Sequence, residues 1–390
     1  MSDQHQPEAG RTRLASALIE AGDLPAEWLP ALSAAPRDLF IPPQAWARAD
    51  QGRGKHRQID RDADPAGWWE AVAEDSPITT QFSDGEAAEP SGLPSSSNSQ
   101  PRMVFGMLAA LQLEDGDRVL EIGTGTGWNA ALLAARLGHD QVVTVEYDET
   151  VAAAAAQALK AAGSRVTTVV GDGTVGYAAG GPYDRVIATC SVTTVPPAWI
   201  EQTRPGGLVL APLGPDYGGE GIVRLTVRED GSATGLFVMS SAFMRLRQQR
   251  PQARPPIEYL GGKKWPGDGD RSTTGVPVDE LLPWIAQFAV GLQVPTVAME
   301  VERYSGGKFT LWLTDTAGDS WATADHVPGE PVSHVVEYGP RRLWDEVAAA
   351  WAWWDGHERP DFDRFGLTVS PDGVHRYWLD IPEYPLPVTG

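Results

Sequence analysis

The chain has 390 residues, with 52 acidic against 31 basic side chains and a formal net charge of −21. So acidic a balance excludes electrostatically driven binding to nucleic acid or anionic membranes, which need clustered cations; a neutral or basic partner suits it better. The length points to more than one compact unit, and with a polar N-terminus and no bilayer-length apolar run, neither signal peptide nor anchor is expected and a cytoplasmic setting is the default.

Residues 11–21 and 25–34 read as two short amphipathic helices separated at Gly22 and ended near Pro36, a helical cap over residues 1–75. Residues 51–64 are charged and aperiodic, so a loop is expected there. Residues 83–100 (SDGEAAEPSGLPSSSNSQ) are rich in Ser, Pro, Gly and acid, the composition of a loop and, functionally, of a lid or substrate loop.

Residues 119–127 (VLEIGTGTG) form the most informative stretch: an apolar strand running through an acid into three glycines at alternate positions. A strand-to-helix turn that meets a ligand with its backbone needs residues without Cβ atoms. The following WNAALLAARLG has helical spacing and stops at Gly138, so the loop opens a helix whose N-terminal amides face the ligand. The spacing is G-x-G-x-G, with Glu121 two residues ahead, rather than the G-x-G-x-x-G of dinucleotide sites. It fits an S-adenosylmethionine (AdoMet) site better.

A second strand, 141–146, ends on Glu146, 23 positions after Gly123, where doubly wound folds place a carboxylate on ribose hydroxyls. A third, 165–170, runs into Gly171-Asp172-Gly173, and Asp172 is the candidate adenine contact. A fourth strand covers 185–188 and a fifth 208–213. The candidate cofactor residues are thus Glu121, Gly123, Thr124, Gly125, Gly127, Asn129, Glu146, Tyr147, Asp172 and Gly173. Cys190, the single cysteine, follows the fourth strand and reads as a small buried filler; the seven histidines lack ligand spacing, so no metal site is expected.

Residues 222–238 carry a β-hairpin signal through Glu229-Asp230-Gly231. An antiparallel hairpin closing a parallel sheet resembles AdoMet methyltransferases rather than dehydrogenases. Beyond residue 240 the rhythm changes. Helical stripes at Leu281, Ile285, Phe288 and Leu292 and at Trp344, Val347, Ala348, Trp351 and Trp354, with alternation at 309–313 and a hairpin around Pro371-Asp372-Gly373, predict an α+β domain over 241–390. Most tryptophans lie here and are expected to build its core, with some available to line a peptide groove. The fold class is therefore α/β, a Rossmann-like core over 76–240 with a C-terminal α+β domain.

Three segments carry a family resemblance. Residues 35–42 (APRDLFIP) resemble the PR-x-x-F-V-P segment of protein-L-isoaspartate O-methyltransferases, residues 97–101 (SNSQP) their T-I-S-Q-P loop, and residues 119–127 their VLEIGTGSG. Gly171-Asp172-Gly173 and Pro205-Gly206-Gly207 match as well. The resemblance implies a class I AdoMet-dependent methyltransferase fold and methyl transfer from AdoMet to an aspartyl-type carboxylate in a peptide. It assigns Ser99 to orient that carboxylate with Ser97 in support, and Thr80, Gln81 and Gln100 to substrate contact. A carboxylate is ionised at neutral pH and needs no general base, so the absence of a catalytic histidine is expected.

The chain departs from the repair enzymes in its longer loop before the Ser-Gln-Pro segment and in the large domain after residue 238. Both departures resemble methyltransferases that tailor ribosomally made peptides, graspetides and lanthipeptides. There a normal aspartate of a cyclised precursor is esterified; the following backbone nitrogen displaces methanol to close an aspartimide, which water reopens to aspartate or isoaspartate. The C-terminal domain and the 83–100 loop are expected to grip such a peptide. Two other readings stand beside this one: an isoaspartate repair enzyme with an added domain, and a non-catalytic peptide-binding module that keeps the fold.

Overall fold

The computed structural model describes residues 5–48, 56–86, 92–251, 254–265 and 267–389. Two compact units divide the chain: residues 1–190, 196–210 and 226–231 form the first, and residues 191–195, 211–225 and 232–390 the second.

The first unit opens with α1 (His5–Ala21), a single 3-10 turn and α2 (Leu29–Ala34), followed by the 3-10 segment Arg37–Phe40. Next come β1 (Gln44–Ala47), β2 (Arg57–Asp60), α3 (Pro65–Val72), β3 (Ile78–Phe82) and β4 (Pro94–Asn98). These four strands make an antiparallel sheet in the order β2-β1-β3-β4. Two stretches expected as loops therefore contain strands: Arg57–Asp60, and the serine-rich Pro94–Asn98. The first has one strand-forming residue, Ile59, and the second has none. Each is extended because a partner strand fixes it, β1 for the former and β3, with Thr79 opposite Ser97 and Ile78 opposite Asn98, for the latter. The remainder of those expected loops at 51–55 and 87–91 lies outside the described residues.

The helix α4 (Pro101–Ala110) leads into the central layer: β5 (Val119–Ile122), α5 (Trp128–Leu137), β6 (Val142–Glu146), α6 (Glu149–Ala161), β7 (Thr167–Val170), β8 (Tyr183–Ala188), α7 (Pro197–Glu201) and β9 (Thr203–Leu213). The strand order is β7-β6-β5-β8-β9, with every neighbouring pair parallel. All four residues of β5 are buried, as a strand covered on both faces requires. Strand order reverses between β5 and β8, the switch point where such sheets bind ligands at their C-terminal ends.

The second unit contains the hairpin of β10 (Glu220–Val227) and β11 (Ala233–Ser241), a short α8 (Pro256–Tyr259), β12 (Asp270–Thr274), α9 (Trp284–Gly291), β13 (Val297–Arg303), β14 (Phe309–Asp315), β15 (Trp321–His326), β16 (Ser333–Tyr338), α10 (Leu343–Gly356), β17 (Phe365–Val369) and β18 (His375–Leu379). β17 pairs with both β11 and β18. A separate antiparallel sheet runs β12-β16-β15-β14-β13. Its inner face, with Leu311, Leu313, Ala322, Ala324 and Val335, packs on Val290 and on Leu343, Trp344, Val347 and Ala350. The unit is α+β. Trp321, Trp344 and Trp354 are buried in it, whereas Trp265 is 43% exposed. Among the described residues no helix is long and apolar enough to cross a membrane.

Candidate active site

The glycine loop leaves β5 with positive φ at each of its three glycines: +94° at Gly123, +54° at Gly125 and +87° at Gly127. Each has a neighbour where a Cβ would stand. On Gly123 it would come 3.0 Å from Thr189 Oγ1, on Gly125 3.5 Å from the Ser97 carbonyl oxygen, and on Gly127 3.2 Å from Leu159 Cγ. The loop thus lies at the switch point, between the ends of β5 and β8, and directly against the end of β4.

Glu121 faces inward. It is fully buried, accepting from Asn129 Nδ2 at 2.7 Å and Thr144 Oγ1 at 2.5 Å. Burial pushes its pKa up to about 7, with the Glu146 charge adding to the rise and the two hydrogen bonds opposing it. Thr124 is buried too, sharing a 2.6 Å hydrogen bond with Thr144. Glu121, Thr124 and Asn129 therefore form a braced layer beneath the loop rather than its open face.

Glu146, at the end of β6, turns its carboxylate onto the loop and the start of the next turn: it accepts from the Gly125 amide at 2.9 Å and from the amides of Tyr147 and Asp148 at 3.0 and 3.1 Å. Tyr147 is half exposed. Asp172, after β7, accepts from the Thr174 amide and hydroxyl at 2.8 and 2.7 Å, and the Gly173 carbonyl accepts from Trp199 Nε1 at 2.8 Å. Three parallel strands thus deliver a glycine-rich loop and two acids to the C-terminal end of the sheet. That donor set fits AdoMet: amides and acids for ribose and amino groups, and no Cβ at the three positive-φ positions of the loop. Cys190 is only partly buried, so the expected filler role is not fulfilled; Sγ lies 3.8 Å from the Ile122 carbonyl oxygen.

On the other side of the loop, Ser97 lies in β4 and Ser99 directly follows its last residue. Both are partly exposed, and neither hydroxyl has a hydrogen-bond partner among the described residues. The three expected substrate contacts are already engaged: Thr80 Oγ1 donates to Ser96 Oγ at 3.0 Å, Gln81 bonds Asp148 and Ser95, and Gln100 Nε2 donates to the Asp75 carbonyl and carboxylate, each at 3.0 Å. These residues shape the rim as the structure stands.

Sequence reasoning assigned no role to Arg37 or Asn98. Arg37 is 2% exposed and donates to Asn98 Oδ1 at 2.7 Å and to the carbonyls of Val72, Glu74, Ser76 and Ser99. Its guanidinium also lies 5.6 Å from the Trp128 ring centre. Burial lowers its pKa to about 9, which leaves it charged at neutral pH. Asn98 in turn donates to Thr126 Oγ1 at 3.0 Å. The available signals were Arg37 inside the PR-x-x-F-V-P-like segment and an amide between the two serines.

Residues 72–250 match the family model of protein-L-isoaspartate(D-aspartate) O-methyltransferase. The chain is 38% identical over 135 residues to the protein-L-isoaspartate O-methyltransferase of Ignicoccus hospitalis, covering 34% of this chain and 64% of that one. It is 40% identical over 136 residues to the enzyme of that name from Thermococcus onnurineus, covering 34% and 61%. The chain thus spans less than two thirds of either relative. A solved protein-L-isoaspartate O-methyltransferase structure superposes with a TM-score of 0.51 at 20% identity, covering 95% of this chain and 100% of the other, which places the fold. The matched segment contains the glycine loop, both serines and Asn98, whereas Arg37 precedes it.

Proposed function

We propose that the protein is an AdoMet-dependent carboxyl O-methyltransferase acting on a peptide, and that its acceptor is an aspartate of a ribosomally made, macrocyclic precursor. The observation that carries the reading is the pair of hydroxyls, Ser97 in β4 and Ser99 just after it, that have no partner among the described residues and stand beside the positive-φ glycine loop. The names of the relatives support carboxyl methylation of a protein or peptide, and the second unit supports a constrained substrate that needs additional docking surface.

Gly123, Gly125 and Gly127 would hold the donor by backbone contact, with Glu146 on its ribose and Asp172 toward its adenine. Bound AdoMet supplies a sulfonium methyl electrophile. The acceptor carboxylate arrives ionised and needs no base. Ser99 donates a hydrogen bond to one carboxylate oxygen and so fixes where the other points; Ser97 supports it. Catalysis then rests on alignment and water exclusion. Once the ester exists, the next backbone nitrogen attacks its carbonyl carbon, the C–O bond to the methoxy group breaks, and that group leaves with the amide proton as methanol. The resulting aspartimide opens with water to aspartate or isoaspartate.

Mass spectrometry of cyclised and linear precursor peptides and of linear isoaspartyl peptides, after incubation with AdoMet, tests this. A methyl gain or net loss of water on a cyclised aspartyl peptide supports it. Preference for linear isoaspartyl peptides would establish instead a repair enzyme with an added unit, the reading that the relatives' names favour. Failure to bind S-adenosylhomocysteine would leave a non-catalytic peptide-binding module.

A further inference from the structure

Asn98 occupies the end of β4 between the two serines assigned to the acceptor. Side chains alternate along a strand, so the residue between two outward hydroxyls must face inward. Its burial agrees: Asn98 is 1% exposed while Ser97 and Ser99 are partly open. An amide placed there needs partners for both ends, and it has them in two different elements, Arg37 on Oδ1 and Thr126 on Nδ2.

Those two partners differ in freedom. Arg37 is fixed by four main-chain carbonyls and the Trp128 ring. Trp128 is itself pinned, donating through Nε1 to the Ala35 carbonyl at 3.0 Å. Thr126, by contrast, sits between Gly125 and Gly127 in the loop that would meet the donor. A Cβ added to Gly125 would come 3.5 Å from the Ser97 carbonyl oxygen, so the loop runs close beside the strand. A displacement of the glycine loop therefore reaches the serine strand through one hydrogen bond, while the opposite end of Asn98 stays anchored.

We infer that Asn98 is a positioning residue that couples the two halves of the site: the Asn98–Thr126 hydrogen bond ties the 97–100 segment to the donor loop, so occupation of that loop steadies the segment that carries the acceptor hydroxyls. The inference rests on the donor-site reading above. It links the two sites thermodynamically, so a bound acceptor tightens the donor by the same factor.

Hydrogen–deuterium exchange of the full chain with and without S-adenosylhomocysteine reads both segments separately. In the wild type, the ligand slows exchange in peptides covering 123–129 and also, by roughly 5-fold or more, in those covering 94–100. Thr126→Val keeps the first effect and loses the second, and Thr126→Ser, which retains the hydroxyl, restores it. Asn98→Ala behaves as Thr126→Val does. Thr126 is the milder site, because Thr126→Val leaves the buried Arg37 and Asn98 in place. Full protection of 94–100 in Thr126→Val, or protection confined to 123–129 in the wild type, overturns the coupling alone. Absence of ligand protection at 123–129 in the wild type overturns the donor reading as well.

Discussion

The amide of Gly125 donates to the carboxylate of Glu146 at 2.9 Å, so the acid at the end of β6 holds the middle of the glycine loop. The same carboxylate takes the amides of Tyr147 and Asp148, and the turn that starts α6 depends on it. Glu146→Ala removes three hydrogen bonds to a charged acceptor, each worth roughly 1.5–3 kcal/mol in other proteins. We expect S-adenosylhomocysteine affinity to fall about 10- to 100-fold by isothermal titration calorimetry, with the fold kept.

Ser99→Ala tests the acceptor side. Its hydroxyl has no partner among the described residues, so the variant should unfold at the wild-type temperature. Its affinity for S-adenosylhomocysteine should be unchanged, while kcat on an aspartyl peptide acceptor falls about 10- to 100-fold, the loss of one orienting hydrogen bond. Ser97→Ala should cost less. An unchanged turnover in Ser99→Ala would remove that residue from the chemistry.

Glu121 supplies a pH prediction with a definite sign. Burial raises its pKa to about 7 in the fold from an ordinary 4.5. The neutral form is therefore the one the fold prefers: its contribution to stability is fully present below about pH 4.5 and is lost as pH rises through about 7. The span is of order 3 kcal/mol. Thermal unfolding followed from about pH 5 to 8 should show this loss in the wild type. Glu121→Gln, which Thr144 can accommodate by reversing its hydroxyl, should flatten it.

Gly125→Ala and Gly127→Ala should differ in cost. Both place an L side chain at positive φ, about 1–2 kcal/mol in each case. At Gly125 the new methyl meets Ser97 O at an ordinary 3.5 Å, while at Gly127 it meets Leu159 Cγ at 3.2 Å and the Ala155 carbonyl at 3.4 Å. Denaturant midpoints should therefore fall further for Gly127→Ala, and α5 against α6 is where the strain would be felt.

Truncation after residue 240 would not isolate a peptide-docking function. β11 pairs with β17, Ala233 opposite Val369 through Leu236 opposite Gly366, so the cut bares a strand edge. We expect the truncated chain to elute as aggregates in size-exclusion chromatography. Substitutions on the exposed surface of the second unit are the better probe of docking.

What could be read from the sequence was whatever is local. The glycine loop, its strand and helix, and the acids at the end of β6 and just after β7 lie within short windows whose residue types dictate backbone conformation. Pro94–Asn98 is different: its strand character comes from β3, and nothing in a run of serines announces a partner. The same holds for Arg37, whose carbonyl partners lie 35 to 62 residues away. For Thr80, Gln81 and Gln100 the residue types suited substrate contact, but internal partners decide where those side chains go.

A fragment starting at residue 72, where the family match begins, would contain all three loop glycines and both serines. It would lack the one guanidinium that gathers the carbonyls of Val72, Glu74, Ser76 and Ser99. Four acceptors and the Asn98 amide would then lose their common donor, and the serine strand would have no fixed wall to lean on. The boundary of the recognisable domain is therefore not the boundary of the working unit, whose frame begins in the N-terminal segment.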